Sequence, residues 1–272
     1  MSIPLTRYPD LKKPGLLPRD VWVWTPPQYD CHPDARFPVI YMHDGQNLFY
    51  PEKAYKGITW GVSEKIRKLS TFGFIEPAIV VGIDNTTNRM GDYLPTRPFT
   101  TPEGRAFVAK LKAESVEELE MFNFVADRYL ALIVKTIKPR IDRDFRTNPE
   151  RNRTIIMGSS MGGLISLYAL VTYSHIFGNA GCFSTHWPIL GQFGPPYLRE
   201  HLPEAGYHRF YFDHGTAPDD IGYAPYQAAV DEIMVEKGYQ FGHDWLTRIF
   251  PGAKHHESAW RKRLHLALRF FL

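Results

Sequence analysis

Short apolar runs that break off at a glycine, proline or small polar residue constrain this chain more than any other feature. Val21–Trp24 ends before Pro26-Pro27, and Phe37–Met42 runs into His43-Asp44-Gly45. Ala78–Ile83 stops at Asp84-Asn85, Arg153–Met157 at Gly158, Asn179–Phe183 at Ser184 and Phe210–Phe212 at Asp213. These runs alternate little between apolar and polar residues, as expected of strands covered on both faces. Helical patterns lie between them. Phe122, Val125, Tyr129, Leu132, Ile133 and Ile137 recur at helical spacing, and Pro139 is expected to end or kink that segment. Leu164–Val171, Tyr226–Lys237 (stopped by Gly238) and Ser258–Leu272 are three more. Strand–helix alternation implies an α/β fold: one mostly parallel central sheet with helices on both faces. The expectation is a single domain over residues 1–272.

One stretch breaks the pattern. Thr96 to Glu120 holds Pro98, Pro102 and Gly104 and then an acidic tract from Glu114 to Glu120. It reads as an insertion near 96–120 over one end of the sheet, either a lid or a solvated excursion. A chain of 272 residues buries enough surface to need no disulfide or metal staple. Its 32 basic and 29 acidic residues leave +3, with no cationic block, which argues against a dedicated nucleic-acid or membrane-surface binder. The two cysteines, Cys31 and Cys182, fit no zinc spacing and read as unpaired thiols. The start lacks a basic segment followed by an apolar run, and no apolar stretch is long enough to span a bilayer. A cytoplasmic protein is the expectation, although a secreted chain trimmed of its leader would read the same way. Oligomeric state is not legible.

Gly158-Ser159-Ser160-Met161-Gly162-Gly163 follows an apolar strand and precedes an apolar helix. That is the context in which G-x-S-x-G marks a nucleophile elbow. Ser160 sits centrally between Gly158 and Gly162; Ser159 occupies the first variable place. A phosphate loop would need a G-K-[ST] ending, which is missing. A serine hydroxyl needs a base, and the base an orienting acid, which in hydrolases of this kind follow the serine in the order acid, then histidine. Of the downstream histidines, His255 stands in a loop after the apolar run Trp245–Phe250 and before the last helix. His256 is its nearest competitor; a metal site with Glu257 is disfavoured because three adjacent residues aim poorly at one ion. Acyl transfer also needs oxyanion donors: the amide of Met161, and one from the early loop Met42–Phe49, namely Gln46 or else Gly45, whose glycine permits an unusual backbone angle. Loop-bracing bonds are the expectation for His43 and Asp44. Trp187 and Arg89 are candidates for the substrate pocket, with a structural role the alternative for each. No metal or organic cofactor is required.

Taken together these residues resemble the esterase family of α/β-hydrolases that includes siderophore (enterochelin-type), feruloyl and acetylxylan esterases. The resemblance runs from about residue 20 to 272. It rests on His43-Asp44-Gly45-Gln46-Asn47-Leu48-Phe49, Arg89 with Tyr93 and Pro95, the elbow, Phe212-Asp213-His214-Gly215-Thr216, and Gly252 with His255, Glu257 and Trp260. It implies an α/β-hydrolase fold, Ser160 as nucleophile, His255 as base and Trp260 as a packing residue. It implies a small-molecule or carbohydrate-linked ester as substrate. Where such proteins often carry the acid, three places after the glycine of Gly-Thr, this chain has Pro218. The carboxylate has therefore moved along the loop, to Asp219 or Asp220. Asp220 is preferred because Pro218 leaves the loop length to spare and because it fits the family spacing to the next helix. Asp213 lies too near its strand and is expected to brace the turn. An acyltransferase of the same fold and a non-catalytic carbohydrate-binding module are the alternatives to ester hydrolysis.

Overall fold

A computed structural model describes residues 5–114 and 124–272. Eight strands form one sheet in the order β1-β2-β4-β3-β5-β6-β7-β8. They are β1 (Leu5–Leu11), β2 (Arg19–Trp24), β3 (Val39–His43), β4 (Ile79–Ile83), β5 (Thr154–Ser159), β6 (Asn179–Phe183), β7 (Arg209–Gly215) and β8 (Trp245–Phe250). β1 and β2 run antiparallel; every pair from β4 to β8 across the sheet is parallel. Each of the runs read as doubly covered strands lies within or beside one of β2 to β7, and β3 to β6 are buried along their whole length. Helices Val62–Thr71 and Glu257–Phe271 bury Ile66, Trp260, Leu264 and Leu268 against one face of the sheet. Helices Ala126–Leu132, Met161–Thr172 and Ala224–Glu236 pack Leu130, Leu164, Ile165 and Ile233 against the other. The parallel strands therefore end together, and the loops after β3, β5, β6, β7 and β8 share one edge.

Three sequence expectations need correcting or limiting. Pro139 ends nothing: Ala126–Leu132 passes through a π turn, Ile133–Ile137, into a further helix, Lys138–Asp144. The proline enters at the start of that last segment, and the wide turn before it accommodates a ring that would clash with the carbonyl four residues back. The excursion from Thr96 contains a helix, Pro102–Glu114, whose Phe107 ring lies 6.3 Å from Phe99 and 5.2 Å from Phe193. The acidic tract beyond Glu114, and Phe122, lie outside the described residues. Among the described residues no helix is long and apolar enough to cross a membrane.

Candidate active site

β5 delivers Ser160 to the shared edge. The turn is sharp: Ser160 has φ 58° and ψ −123°, a conformation that costs a non-glycine residue on the order of 1–3 kcal/mol. Backbone bonds hold it there. Its amide donates to Phe183 O (2.8 Å), and its carbonyl accepts from Leu164 (3.1 Å) and His186 (3.2 Å). Glycine is required at 158, because a Cβ there would lie 2.9 Å from the carbonyl of Gly162. Met161 is the first residue of the following helix, so its N–H has no partner within the helix, and the helix dipole adds positive charge beside the Ser160 oxygen. Ser159 ends β5, buried and paired in register with Phe183.

His255 and Asp220 meet at this edge from two neighbouring loops. His255 Nδ1 lies 2.6 Å from Asp220 Oδ1. The other carboxylate oxygen accepts from the Gly215 amide (2.7 Å) and the Ser184 hydroxyl (2.8 Å). Burial works to raise the Asp220 carboxyl, but the bonds from His255, Gly215 and Ser184 outweigh it and hold the group below its ordinary value. An ionised carboxylate only accepts, so Nδ1 carries the hydrogen, and in the neutral imidazole Nε2 is then the acceptor. Two rings pack nearly perpendicular to the imidazole, Tyr223 at 5.5 Å and Trp260 at 5.0 Å. Asp219 is exposed, whereas Asp220 is fully buried. His256 points elsewhere. It caps the last helix, accepting the Ser258 amide at its Nδ1. Asp213 is buried and takes the Ser184 amide, the Tyr211 hydroxyl and Arg263 Nη2, the last at 2.9 Å.

The early loop supplies the opposite wall. The unusual backbone angle expected of Gly45 falls instead on Asp44, at φ 56°. Glycine is needed at 45 for a different reason: a Cβ there would lie 2.6 Å from the backbone of Gly82. The tight approach presses the loop onto β4 and makes Gly45–Asn47 a single helical turn, in which the Gln46 amide is one of the first, unpaired donors. Asp44 is bound by Nε and Nη2 of Arg89, at 2.7 and 2.8 Å, and by Asn85 at 2.6 Å. Burial opposes ionisation of Asp44, but the Arg89 charge and these bonds leave its carboxyl below the usual range. Arg89 thus locks the loop. Its guanidinium stacks over Tyr93, and among the described residues its Nη1 has no hydrogen-bond partner. Trp187 is 3% exposed, donates its indole N–H to Gln227 and lies against Phe212.

Two residues at the site have no sequence signature. Tyr223, three residues past Asp220, lies beside the Ser160 side chain, and its hydroxyl is 2.6 Å from His186 Nδ1. Burial pushes the Tyr223 phenol up, so it stays a neutral hydroxyl. Burial likewise lowers the pKa of His186, with the nearby His255 and Arg89 adding to it.

His43 carries a consequence for stability. It is fully enclosed, with Nδ1 2.7 Å from the Tyr129 hydroxyl, and burial pushes its pKa down to about 3. The unfolded chain protonates this imidazole near 6.5 while the folded chain does not, so stability is lost as pH falls from about 6.5 toward 3. His43→Gln is expected to be less acid-labile. Between pH 7 and pH 5, denaturant titrations should show the parent losing about 2 kcal/mol more than the variant. Equal losses would mean that His43 titrates normally in the fold.

Residues 18–271 match the Esterase family, described as "Putative esterase". The chain belongs to that family. Its members' likeness extends to named relatives. The ferri-bacillibactin esterase BesA of Bacillus subtilis (strain 168) is 31% identical over 165 residues, 60% of this chain and 51% of that one. The B. subtilis protein YbbA is 24% identical over 166 residues, 61% of this chain and 56% of that one. This chain spans about half the length of the curated relatives it matches. Among solved structures, an IroE-like serine hydrolase from Shewanella oneidensis superposes with a TM-score of 0.76 at 21% identity, covering 98% of this chain and 79% of that one. A ferulic acid esterase from Anaeromyces mucronatus gives 0.65 at 19%, covering 98% and 89%. These likenesses, with the strand order, make the architecture of this family member an α/β-hydrolase fold.

Proposed function

We propose that this chain hydrolyses a carboxylic ester through an acyl-enzyme on Ser160. The observation that carries this is the 2.6 Å bond between Asp220 and His255, on the same sheet edge as the strained serine. Ser160 Oγ attacks the ester carbonyl while His255 Nε2 takes its proton. The amides of Met161 and Gln46 receive the negative charge that develops on the carbonyl oxygen. Collapse expels the alcohol, which leaves with the proton from His255. Water then repeats the sequence on the acyl group: His255 takes its proton, returns it to Ser160, and the free acid departs. Asp220 keeps the imidazole in one tautomer and orientation throughout. Arg89, through the Nη1 that has no hydrogen-bond partner among the described residues, is the donor offered to the substrate, and Trp187 is the aromatic wall offered beside it.

The substrate class proposed is the ester of a siderophore lactone or of a feruloyl group. Support comes from BesA, named a ferri-bacillibactin esterase, and from the ferulic acid esterase of the same fold. The purified protein should release acid from short p-nitrophenyl esters and act on a siderophore lactone or a feruloyl ester with a higher kcat/KM. Failure to hydrolyse any of the three would overturn the proposal.

A further inference from the structure

Ser184, at the end of β6, occupies a position that suits glycine better than serine. Its φ is 40°, in the left-handed region that side chains avoid. Its hydroxyl is fully buried and has three neighbours: Arg263 Nη2 at 2.7 Å, Trp260 Nε1 at 3.1 Å and Asp220 Oδ2 at 2.8 Å. The chemistry of these groups fixes the direction of every bond. A guanidinium and an indole N–H only donate, so the Ser184 oxygen accepts from both. Its single hydrogen is then left for the carboxylate, which at Oδ2 only accepts. A hydroxyl that could otherwise rotate is held as a donor aimed at Asp220.

We propose that Ser184 is a positioning residue for the hydrolytic reaction, acting through Asp220 on His255. The inference rests on the assignment of Asp220 and His255 as the acid and base of the preceding section. The hydroxyl and the Gly215 amide together hold Oδ2, which leaves Oδ1 directed at His255 Nδ1. Trp260 and Arg263 belong to the helix Glu257–Phe271, which begins two residues after His255. One rigid element thus carries the two donors that set Ser184, while the loop leading into it carries the base. Arg263 is itself anchored by Asp213, the pair being almost wholly buried. The same buried cation that pairs with Asp213 of β7 therefore polarises the hydroxyl behind the acid. A hydrogen bond to a charged group contributes more than a neutral one, which gives this donor leverage on the orientation of the carboxylate.

A double-mutant cycle tests this. Ser184→Gly removes the hydroxyl at a φ that glycine adopts freely, so a change in rate cannot be charged to backbone strain. With Asp220 present, it is expected to lower kcat by about tenfold or more, with KM within about twofold. In an Asp220→Asn background, where there is no carboxylate to position, the same substitution should cost less than about twofold. Ser184→Cys, which keeps the bulk but offers only a weak donor, should show the same dependence on background and serves if the glycine variant does not accumulate folded. Equal losses in both backgrounds would assign Ser184 to structure alone, and an unchanged kcat would remove it from the reaction. A mild effect of Asp220→Asn by itself would instead overturn the assignment of the acid, a result distinguishable from either of these.

Discussion

Ser160→Ala is expected to lose at least ~10³-fold in kcat, while Ser159→Ala retains most of the activity. The two adjacent serines differ in what the fold does to them. Ser159 is the last residue of β5, buried and paired in register with Phe183 of β6. Ser160 is lifted onto a turn at φ 58°, in contact with Tyr223 and at the start of a helix whose first amides are unpaired. Deleting its oxygen leaves the oxyanion donors and the base in place but removes the atom that attacks. Steady-state kinetics on a p-nitrophenyl ester, with circular dichroism to verify folding, separates the two variants. Equal losses would shift the elbow register by one residue.

The second large effect belongs to the acid. Asp220→Asn should lose several hundred-fold or more in kcat, whereas Asp219→Asn stays within about tenfold. The asparagine preserves shape and can still receive the Gly215 amide, but it turns an acceptor-only group into one that presents an amide NH₂. The imidazole then has no reason to keep its hydrogen on Nδ1, and Nε2 is no longer reliably bare. Asp219 is exposed, one residue away, and its side chain faces solvent rather than the base. The reverse ranking would move the acid to Asp219; two mild effects would require another carboxylate behind His255.

The central strands were legible because burial on both faces leaves an uninterrupted apolar run, and β3 to β6 are of that kind. β1 was not. It is an edge strand, mostly exposed, with Pro9 inside it, and its residues look like any polar loop. The elbow could be read because its glycines are imposed by contact: no side chain fits at 158 beside Gly162. Gly45 is required by its close approach to Gly82 and not by a backbone angle, since the strained angle belongs to Asp44, where ion-pairing with Arg89 sustains it. The parts of the candidate site that could not be read are those assembled by tertiary contact. Tyr223 and His186 come from different loops and carry no motif, and the Ser184 hydroxyl meets Arg263 and Trp260, 79 and 76 residues away, only in the folded chain. Trp187 had the aromatic character of a pocket residue but satisfies its N–H on Gln227 inside the fold.

The claim on which the rest depends is that Ser160 is the atom that becomes acylated. The most direct measurement is labelling with a fluorophosphonate probe, followed by digestion and fragmentation mass spectrometry of the modified peptide. One probe per chain is expected, carried on Ser160, with labelling lost in Ser160→Ala, strongly slowed in His255→Ala and retained in Ser159→Ala and His256→Ala. A protein that hydrolyses esters yet takes up no probe, or carries it on Ser159 or on a residue outside the elbow, would contradict it.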